Sequence, residues 1–103
     1  DQTLLAIVQY AIGMSVNEEQ HVRIEAARLL LLLSRSKYKE ATLLQLSKMM
    51  DNEIYQIKVQ IINGIDDLNL YNNKISDHII KKGMADTNYW VSRAASKIKG
   101  DIQ

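Results

Sequence analysis

The chain has 103 residues, of which 47% are apolar and 24% charged, and its formal net charge is +1 at pH 7. This length and composition suffice for one folded domain and exclude an intrinsically disordered protein. Cysteine is absent, which excludes disulfides and thiol chemistry, and the longest strongly apolar stretch, Leu29 to Leu33, is far too short to cross a membrane.

Six helices are predicted along the chain, because apolar residues recur every three or four positions and proline is absent. The predicted helices span about residues 2–14, 18–35, 38–50, 53–69, 73–83 and 87–100. No segment has the alternating pattern of a strand, so the sequence predicts an all-α protein.

Polar residues and glycines mark the expected helix ends. Side chains that favour turns or cap helix N-termini stand between the predicted helices: Asn17, Asp51–Asn52, Asn72–Asn73 and Asp86–Thr87. We expect the first, second and last of these to cap the second, fourth and sixth helices. Gly83 and Gly100 are expected where the fifth and sixth helices end.

Gly64 follows Asn63, a dipeptide typical of a hairpin turn between two strands. Its flanking residues contradict a hairpin, because Ile57, Ile61 and Ile65 lie on one helical face. We therefore expect Gly64 inside the fourth helix, where it admits a close neighbouring helix.

Three segments of the chain resemble one another at a spacing of 34 to 35 residues. They are NEEQHVRIEAARLL from Asn17, NEIYQIKVQIINGI from Asn52 and DTNYWVSRAASKI from Asp86. A repeat of this length is typical of stacked helix pairs, in which no pair buries its apolar face alone. The sequence predicts one helical-repeat domain over residues 1–103, with repeats at about 1–35, 36–70 and 71–103.

The first segment resembles the second helix of a HEAT repeat through Val22-Arg23, Ala26-Ala27 and Leu30. In the third segment the basic residue, Arg93, is displaced by one position, and in the second Ile61-Ile62 replaces the small pair. The resemblance covers nearly the whole chain and implies a right-handed α-α superhelix, or solenoid, of about three antiparallel helix pairs. Armadillo-like stacking and a plain six-helix bundle are the alternatives.

The resemblance to HEAT repeats also implies a ladder of polar contacts between successive repeats. It would pair Asn17, Asn52 and Asp86 with Arg23, Lys58 and Arg93.

The outward face of the second helices is the candidate binding surface. Helical geometry places six polar side chains opposite or beside the apolar stripes: Arg28, Arg35, Asn63, Asp66, Arg93 and Lys97. Arg28, Asn63 and Lys97 recur at the repeat spacing. In HEAT-like stacks the second helices line the concave surface, so the resemblance implies a groove at this face that suits a partner protein, through a peptide or a helix, or an acidic ligand. An ordinary solvated face is the alternative interpretation.

Three aromatic residues stand at the start of the fourth and sixth predicted helices, which are the second helices of the second and third repeats. They are Tyr55, Tyr89 and Trp90. HEAT repeats often place an aromatic residue there to pack against the preceding helix. We therefore expect these rings in the core, with a binding role as the alternative.

No arrangement of residues predicts catalysis. His21 and His78 lie on different repeats and have no partner at a metal-ligand spacing. Asp66 and Asp67 are adjacent, so on a helix they point about 100° apart instead of facing each other. A phosphate-binding glycine loop is absent. The sequence thus predicts no enzyme, no catalytic residues, no cofactor and no metal.

The predicted function is a protein-interaction scaffold or adaptor that binds through the second-helix face. One alternative is binding of a nucleic-acid backbone through the basic C-terminal third, since residues 74–103 carry six Lys or Arg against three Asp or Glu. Another is a non-catalytic accessory subunit of an enzyme, a role that also occurs among HEAT-like proteins.

The ends of the chain carry two further expectations. The chain begins with Asp1 and shows no signal peptide, so we expect a piece of a longer, cytoplasmic protein without membrane association. The first predicted helix is apolar around much of its circumference, which predicts self-association through that helix or a preceding repeat that covers it.

Overall fold

Six α-helices make up most of the chain in the computed structural model, which describes residues 2–102 and the side chains of residues 2–98. They are α1 (Gln2–Met14), α2 (Gln20–Leu33), α3 (Lys39–Asn52), α4 (Tyr55–Asp67), α5 (Lys74–Met84) and α6 (Tyr89–Ile102). Strands are absent from residues 2–102, so the predicted all-α class is confirmed, and each predicted helix overlaps an observed one. None of these helices is long and apolar enough to cross a membrane.

Asparagine side chains cap the last two helices. Asn73 Oδ1 accepts a hydrogen bond from the Ile75 N–H at 2.8 Å, and Asn88 Oδ1 accepts one from the Trp90 N–H at 2.9 Å. Each bond satisfies a first-turn N–H that has no partner within its helix. The turn expected at Asn72–Asn73 is thus confirmed, whereas the cap of α6 lies beyond the predicted Asp86–Thr87.

Two other predicted caps are wrong. Asn17 accepts from the Glu19 N–H at 2.8 Å in the turn before α2, which begins only at Gln20. Asp51–Asn52 form the end of α3, and α4 begins after Ile54 without a side-chain cap. A cap contributes only about 1 kcal/mol, which is less than the burial of the neighbouring methionine side chains of α3.

Gly64 lies inside α4, as predicted, and allows α2 to approach closely. A Cβ added there would lie 2.9 Å from Leu31 Cδ2. Gly83, predicted to end α5, also lies within its helix, where a Cβ would lie 2.7 Å from Ile62 Cδ1 and 2.9 Å from Ala95 Cβ. Both glycines therefore mark close contacts between helices.

The left-handed residue that ends α4 is an asparagine. Asn69 has φ of 55°, and the following Leu70 N–H bonds to the Ile65 carbonyl oxygen at 2.9 Å. This geometry provides hydrogen-bond donors for carbonyl groups at the helix end. Glycine is the residue that most often adopts this left-handed conformation. Gly100, expected to end α6, lies within that helix.

The odd-numbered helices contact one another in chain order, as do the even-numbered helices. α3 contacts α1 and α5, and α4 contacts α2 and α6, while each helix also contacts its neighbours in sequence. The structure measures 39 × 30 × 17 Å, and its shortest dimension is close to two helix diameters of roughly 10 Å. All six helices contribute to the core, whose largest fully buried side chains include Leu30, Leu43, Leu46, Ile57, Ile61, Ile62, Ile65 and Ile79.

Two ion pairs link the three predicted repeats. Arg23 Nε donates to Glu53 Oε2 at 2.7 Å, and Lys58 Nζ donates to Asp86 Oδ2 at 2.7 Å. All four side chains are largely buried. Lys58 and Asp86, both expected in the ladder, thus pair between successive repeats, whereas Arg23 pairs with Glu53, which was not among the expected residues.

The ladder does not continue to Arg93, contrary to the expectation. Ser92, 34 residues after Lys58, occupies the position of the next basic residue. The displacement by one residue turns Arg93 by about 100° around the helix axis. Asn17 takes part only through its backbone carbonyl, which accepts from Arg23 Nη1 at 3.0 Å.

The pair between Lys58 and Asp86 makes stability depend on pH. The hydrogen bond from Lys58, followed by that from the Asn88 N–H, lowers the pKa of Asp86 below its usual value of 3.8. A carboxylate with a lowered folded-state pKa stabilises the fold above its unfolded pKa, and this contribution is lost as pH falls through the folded value. We expect Asp86→Asn to reduce the free energy of unfolding by about 1–3 kcal/mol at pH 7.

Urea unfolding of the wild type and Asp86→Asn at several pH values measures this effect. The difference between the two proteins should shrink below about pH 4. Glu25→Gln is the matched control, because it removes only the exposed Glu25–Arg28 pair, and it should cost about 0.5 kcal/mol or less. A difference for Asp86→Asn that stays constant down to low pH would contradict the assignment.

Candidate interaction surface

Two grooves lie on the face formed by α2, α4 and α6, which we call the even-helix face. The α2–α4 groove is lined by Arg28, Leu31, Leu32, Gln60, Asn63, Gly64, Asp67 and Leu68. The α4–α6 groove consists of two adjoining concavities and is lined by Tyr55, Gln56, Val59, Asn63, Trp90, Arg93, Ala94 and Lys97. Asn63 borders both grooves, so the two form one continuous surface.

Helical spacing explains why α6 presents these side chains to the groove. Trp90, Arg93 and Lys97 follow at intervals of three and four residues, which places them on one stripe of the helix. The core stripe of α6 is formed by Val91 and Ala95, both fully buried. The groove stripe therefore begins one residue, or about 100°, away from the core stripe.

Trp90, Tyr89 and Tyr55 are all exposed, so the prediction that these rings belong to the core is wrong. Trp90 is the largest of the three. Its exposed fraction is 54%, compared with 63% for Tyr89 and 41% for Tyr55. The rings of Tyr89 and Trp90 pack edge to face, with centroids 5.1 Å apart. Trp90 and Tyr55 line the groove, where a large ring offers contact area to a partner. The spacing of Trp90 with Arg93 and Lys97 places it on the same stripe of α6 as these polar residues, but this spacing does not by itself decide whether the ring is covered.

Four of the six predicted site residues line the grooves. Arg28 lies in the α2–α4 groove, Arg93 and Lys97 lie in the α4–α6 groove, and Asn63 lies in both. The row of Arg28, Asn63 and Lys97 predicted from the repeat spacing thus runs across the even-helix face.

The other two predicted residues, Arg35 and Asp66, line neither groove. Arg35 is exposed in the turn after α2. The Asp66 carboxylate accepts a hydrogen bond from the Tyr71 hydroxyl at the end of α4. Asp67, one residue later, lines the α2–α4 groove instead, because one residue turns a side chain by about 100°.

The positive charge of the even-helix face is unevenly distributed between its two grooves. Arg93 and Lys97 form no ion pair with any side chain that the structure describes. In the α2–α4 groove Arg28 is paired with Glu25 at 2.9 Å, and Asp67 adds a negative charge. The α4–α6 groove is therefore the basic part of the even-helix face.

Among the side chains that the structure describes, the remaining basic residues of the C-terminal third do not extend this patch. Lys74 and Lys81 are exposed on α5, which lines neither groove. Lys82 Nζ lies 2.9 Å from both the Ser47 carbonyl oxygen and Asp51 Oδ1, so it ties α5 to α3. The positive charge of this third is thus divided between two helix layers.

The titratable side chains do not converge on a common point. Within the described part of the chain, no three His, Asp or Glu side chains form a group that could hold a metal ion. His21 is exposed and lies 3.6 Å from the Glu19 carboxylate, and His78 is exposed on α5.

The α1 helix presents a second apolar surface. Leu5, Ile7 and Tyr10 are exposed, whereas Val8 and Ala11 are its buried residues. Ile7 and Tyr10 are three residues apart on one side of the helix, whereas Leu5 lies on the other side of the buried stripe. Self-association through this helix therefore stays a prediction, with Ile7 and Tyr10 as its surface.

The internal repeat is the sequence feature from which a resemblance to HEAT repeats is inferred. Its residues resemble those of HEAT repeats in the first segment above all. No known protein family, characterised protein or solved structure matches the chain.

Proposed function

We propose that this chain is a protein-interaction module that binds a partner protein through its even-helix face. The observation that carries the proposal is the position of Trp90, a large aromatic side chain that lines a groove and stays exposed instead of entering the core. Exposed aromatic residues beside arginine are typical of the residues that contribute most to binding energy at interfaces.

We further propose that the six helices stack as a right-handed α-α superhelix of three helix pairs, similar to HEAT repeats. The side-by-side contacts of α2, α4 and α6 support this arrangement, as do those of α1, α3 and α5. The two buried ion pairs support it too, because they recur at the repeat spacing. Such stacking creates an extended binding surface from corresponding helices.

Of the two alternative functions, binding of a nucleic acid fits the even-helix face less well. A nucleic-acid backbone demands a row of phosphate contacts, but the basic side chains of the C-terminal third are divided between α5 and α6. An accessory subunit of an enzyme would use the even-helix face in the same way, with an enzyme as its partner protein. We propose no catalytic activity for the chain itself.

Capture of partners by the immobilised chain tests the proposal. We expect a defined protein from a lysate of the producing cells to be retained after nuclease treatment and to be lost with Trp90→Ala. A loss of about 2 kcal/mol in binding free energy, roughly 30-fold in Kd, is typical of such a residue. Because Trp90 is half exposed, its removal should change the free energy of unfolding by only about 0.5 kcal/mol.

Lys81→Glu on α5 is the control, because this exposed residue lies outside both grooves. Retention that both variants preserve would place the binding surface elsewhere on the molecule. Retention that disappears with nuclease would favour nucleic acid as the ligand.

A further inference from the structure

We propose that the α4–α6 groove binds an amphipathic helix of the partner that carries an apolar anchor and two acidic side chains. The anchor contacts Trp90, Tyr55 and Val59, and the acidic side chains pair with Arg93 and Lys97. This inference rests on the proposed function and names the chemistry of its partner.

The apolar half of the groove lies near the N-terminal ends of both helices. Tyr55 and Trp90 lie in the first turns of α4 and α6, and Val59 lies beside both of them. Val59 and Ala94 continue the apolar surface along the groove. An aliphatic or aromatic side chain that covers this surface removes apolar area from water on both partners.

The basic half of the groove follows along α6. A helix rises about 1.5 Å per residue, so Arg93 and Lys97 lie roughly 4.5 and 10.5 Å beyond Trp90 along the axis. Residues three and seven positions apart on a second helix have the same spacing. Consider a partner helix that lies in the groove parallel to α6. One of its side chains contacts Trp90, and its side chains three and seven positions later lie beside Arg93 and Lys97.

The charges of the groove select an acidic occupant. Neither Arg93 nor Lys97 has an ionic partner among the described side chains. Arg93 stands one residue away from the position that would continue the ladder formed by Lys58 and Asp86. Acidic side chains would supply the missing partners, whereas basic ones would place like charges together. Asn63, at the border of the groove, offers hydrogen bonds to either kind of occupant.

A nucleic acid is less well matched to this face than an acidic helix. Of the described side chains, only Arg93 and Lys97 give this groove positive charge, whereas a strongly salt-dependent grip on a duplex backbone involves about 6–10 phosphate contacts. A strand that crossed to the α2–α4 groove would meet Asp67 and the Glu25–Arg28 pair. Its phosphates would therefore meet the negative charge of Asp67 on α4 and a cation that already has an acidic partner on α2.

Fluorescence of the full chain tests the inference directly, because Trp90 is its only tryptophan. The probes are two synthetic helices of about 18 residues, roughly 27 Å long. Both carry the same leucine anchor, and the positions three and seven residues after it hold glutamate in one peptide and lysine in the other. We expect the acidic peptide to shift the emission of Trp90 to shorter wavelength and to bind at least about tenfold more tightly at roughly 0.1 M salt.

Charge reversal supplies the matched variants. Arg93→Glu combined with Lys97→Glu should reverse the preference between the two peptides. Lys74→Glu combined with Lys81→Glu makes the same change in net charge on α5, outside the grooves, and should leave the preference unchanged.

Several results would overturn the inference. Equal binding of both peptides, or a preference that the α5 variants also reverse, would show that Arg93 and Lys97 do not select the occupant. Tighter binding of a short oligothymidylate, with a steep dependence on salt, would replace the acidic helix with a nucleic acid. If neither peptide binds while partner capture still depends on Trp90, this inference is wrong and the proposed function stands.

Discussion

We expect Ile62→Ala to reduce the free energy of unfolding by about 2–5 kcal/mol. Ile62 is fully buried on α4, and its Cδ1 atom is the atom nearest to a Cβ built at Gly83 of α5. Ala95 of α6 lies at the same place, so three helices meet around this side chain. Its removal leaves a cavity that they cannot fill without moving together. Urea unfolding followed by circular dichroism measures the change.

Ile7→Ala is the matched control for this prediction. It deletes the same atoms from an exposed position on α1, so its effect should stay within about 0.5 kcal/mol. Equal effects of the two substitutions would contradict the packing at the junction of α4, α5 and α6.

The second large effect is expected from adding a side chain at this junction. Gly83→Val should reduce the free energy of unfolding by about 2–3 kcal/mol, because its Cβ would collide with Ile62 and with the rigid Ala95 Cβ. Valine has a better helix propensity than glycine, but this difference offsets only about a few tenths of a kcal/mol. The same unfolding measurement gives the magnitude.

Gly13→Val is the control, since a Cβ at Gly13 has no atom within 4 Å apart from its chain neighbours and the nearby backbone of α1. We expect this variant to stay within about 0.5 kcal/mol of the wild type. Combining Gly83→Val with Ile62→Ala should cost less than the sum of the two single changes, because the deleted side chain makes room for the added one. Strict additivity would show that the two positions do not share a contact.

The two stability predictions and the two binding proposals concern different parts of α4 and α6. Ile62 and Ala95 belong to the core, whereas Val59 and Trp90 face the groove. Groove variants should therefore change binding with little effect on stability, and core variants should do the opposite. This separation makes a loss of binding by Trp90→Ala interpretable.

Local sequence patterns were sufficient for the helices. The spacing of Ile57, Ile61 and Ile65 placed Gly64 inside α4 in spite of a dipeptide that is common in hairpins. Burial of one face demands apolar residues at a period of 3.6, whichever helix packs there. The caps were less predictable, since Asn17 and Asp51–Asn52 can bond to helix N-termini but do not cap the helices that follow them.

The candidate surface could be predicted only in part. Arg28, Asn63, Arg93 and Lys97 were identified from helical geometry, and the structure brings them to the grooves. Trp90 was expected in the core because HEAT repeats often place an aromatic residue at this position, and a binding role was the alternative. It is adjacent to the buried Val91. A ring at the edge of a core stripe is covered or exposed according to the path of the neighbouring helix, which no local pattern specifies.

The sequence by itself determined the all-α class, the six helices and the row of Arg28, Asn63 and Lys97, because each of these depends on helical periodicity or on the repeat spacing. Only the tertiary structure decided that Trp90 lines a groove with Tyr55 and Val59 and that Arg93 lies outside the ladder. Residues about 35 positions apart become neighbours only when corresponding helices pack side by side. The resulting groove is a property of that packing and not of any single helix.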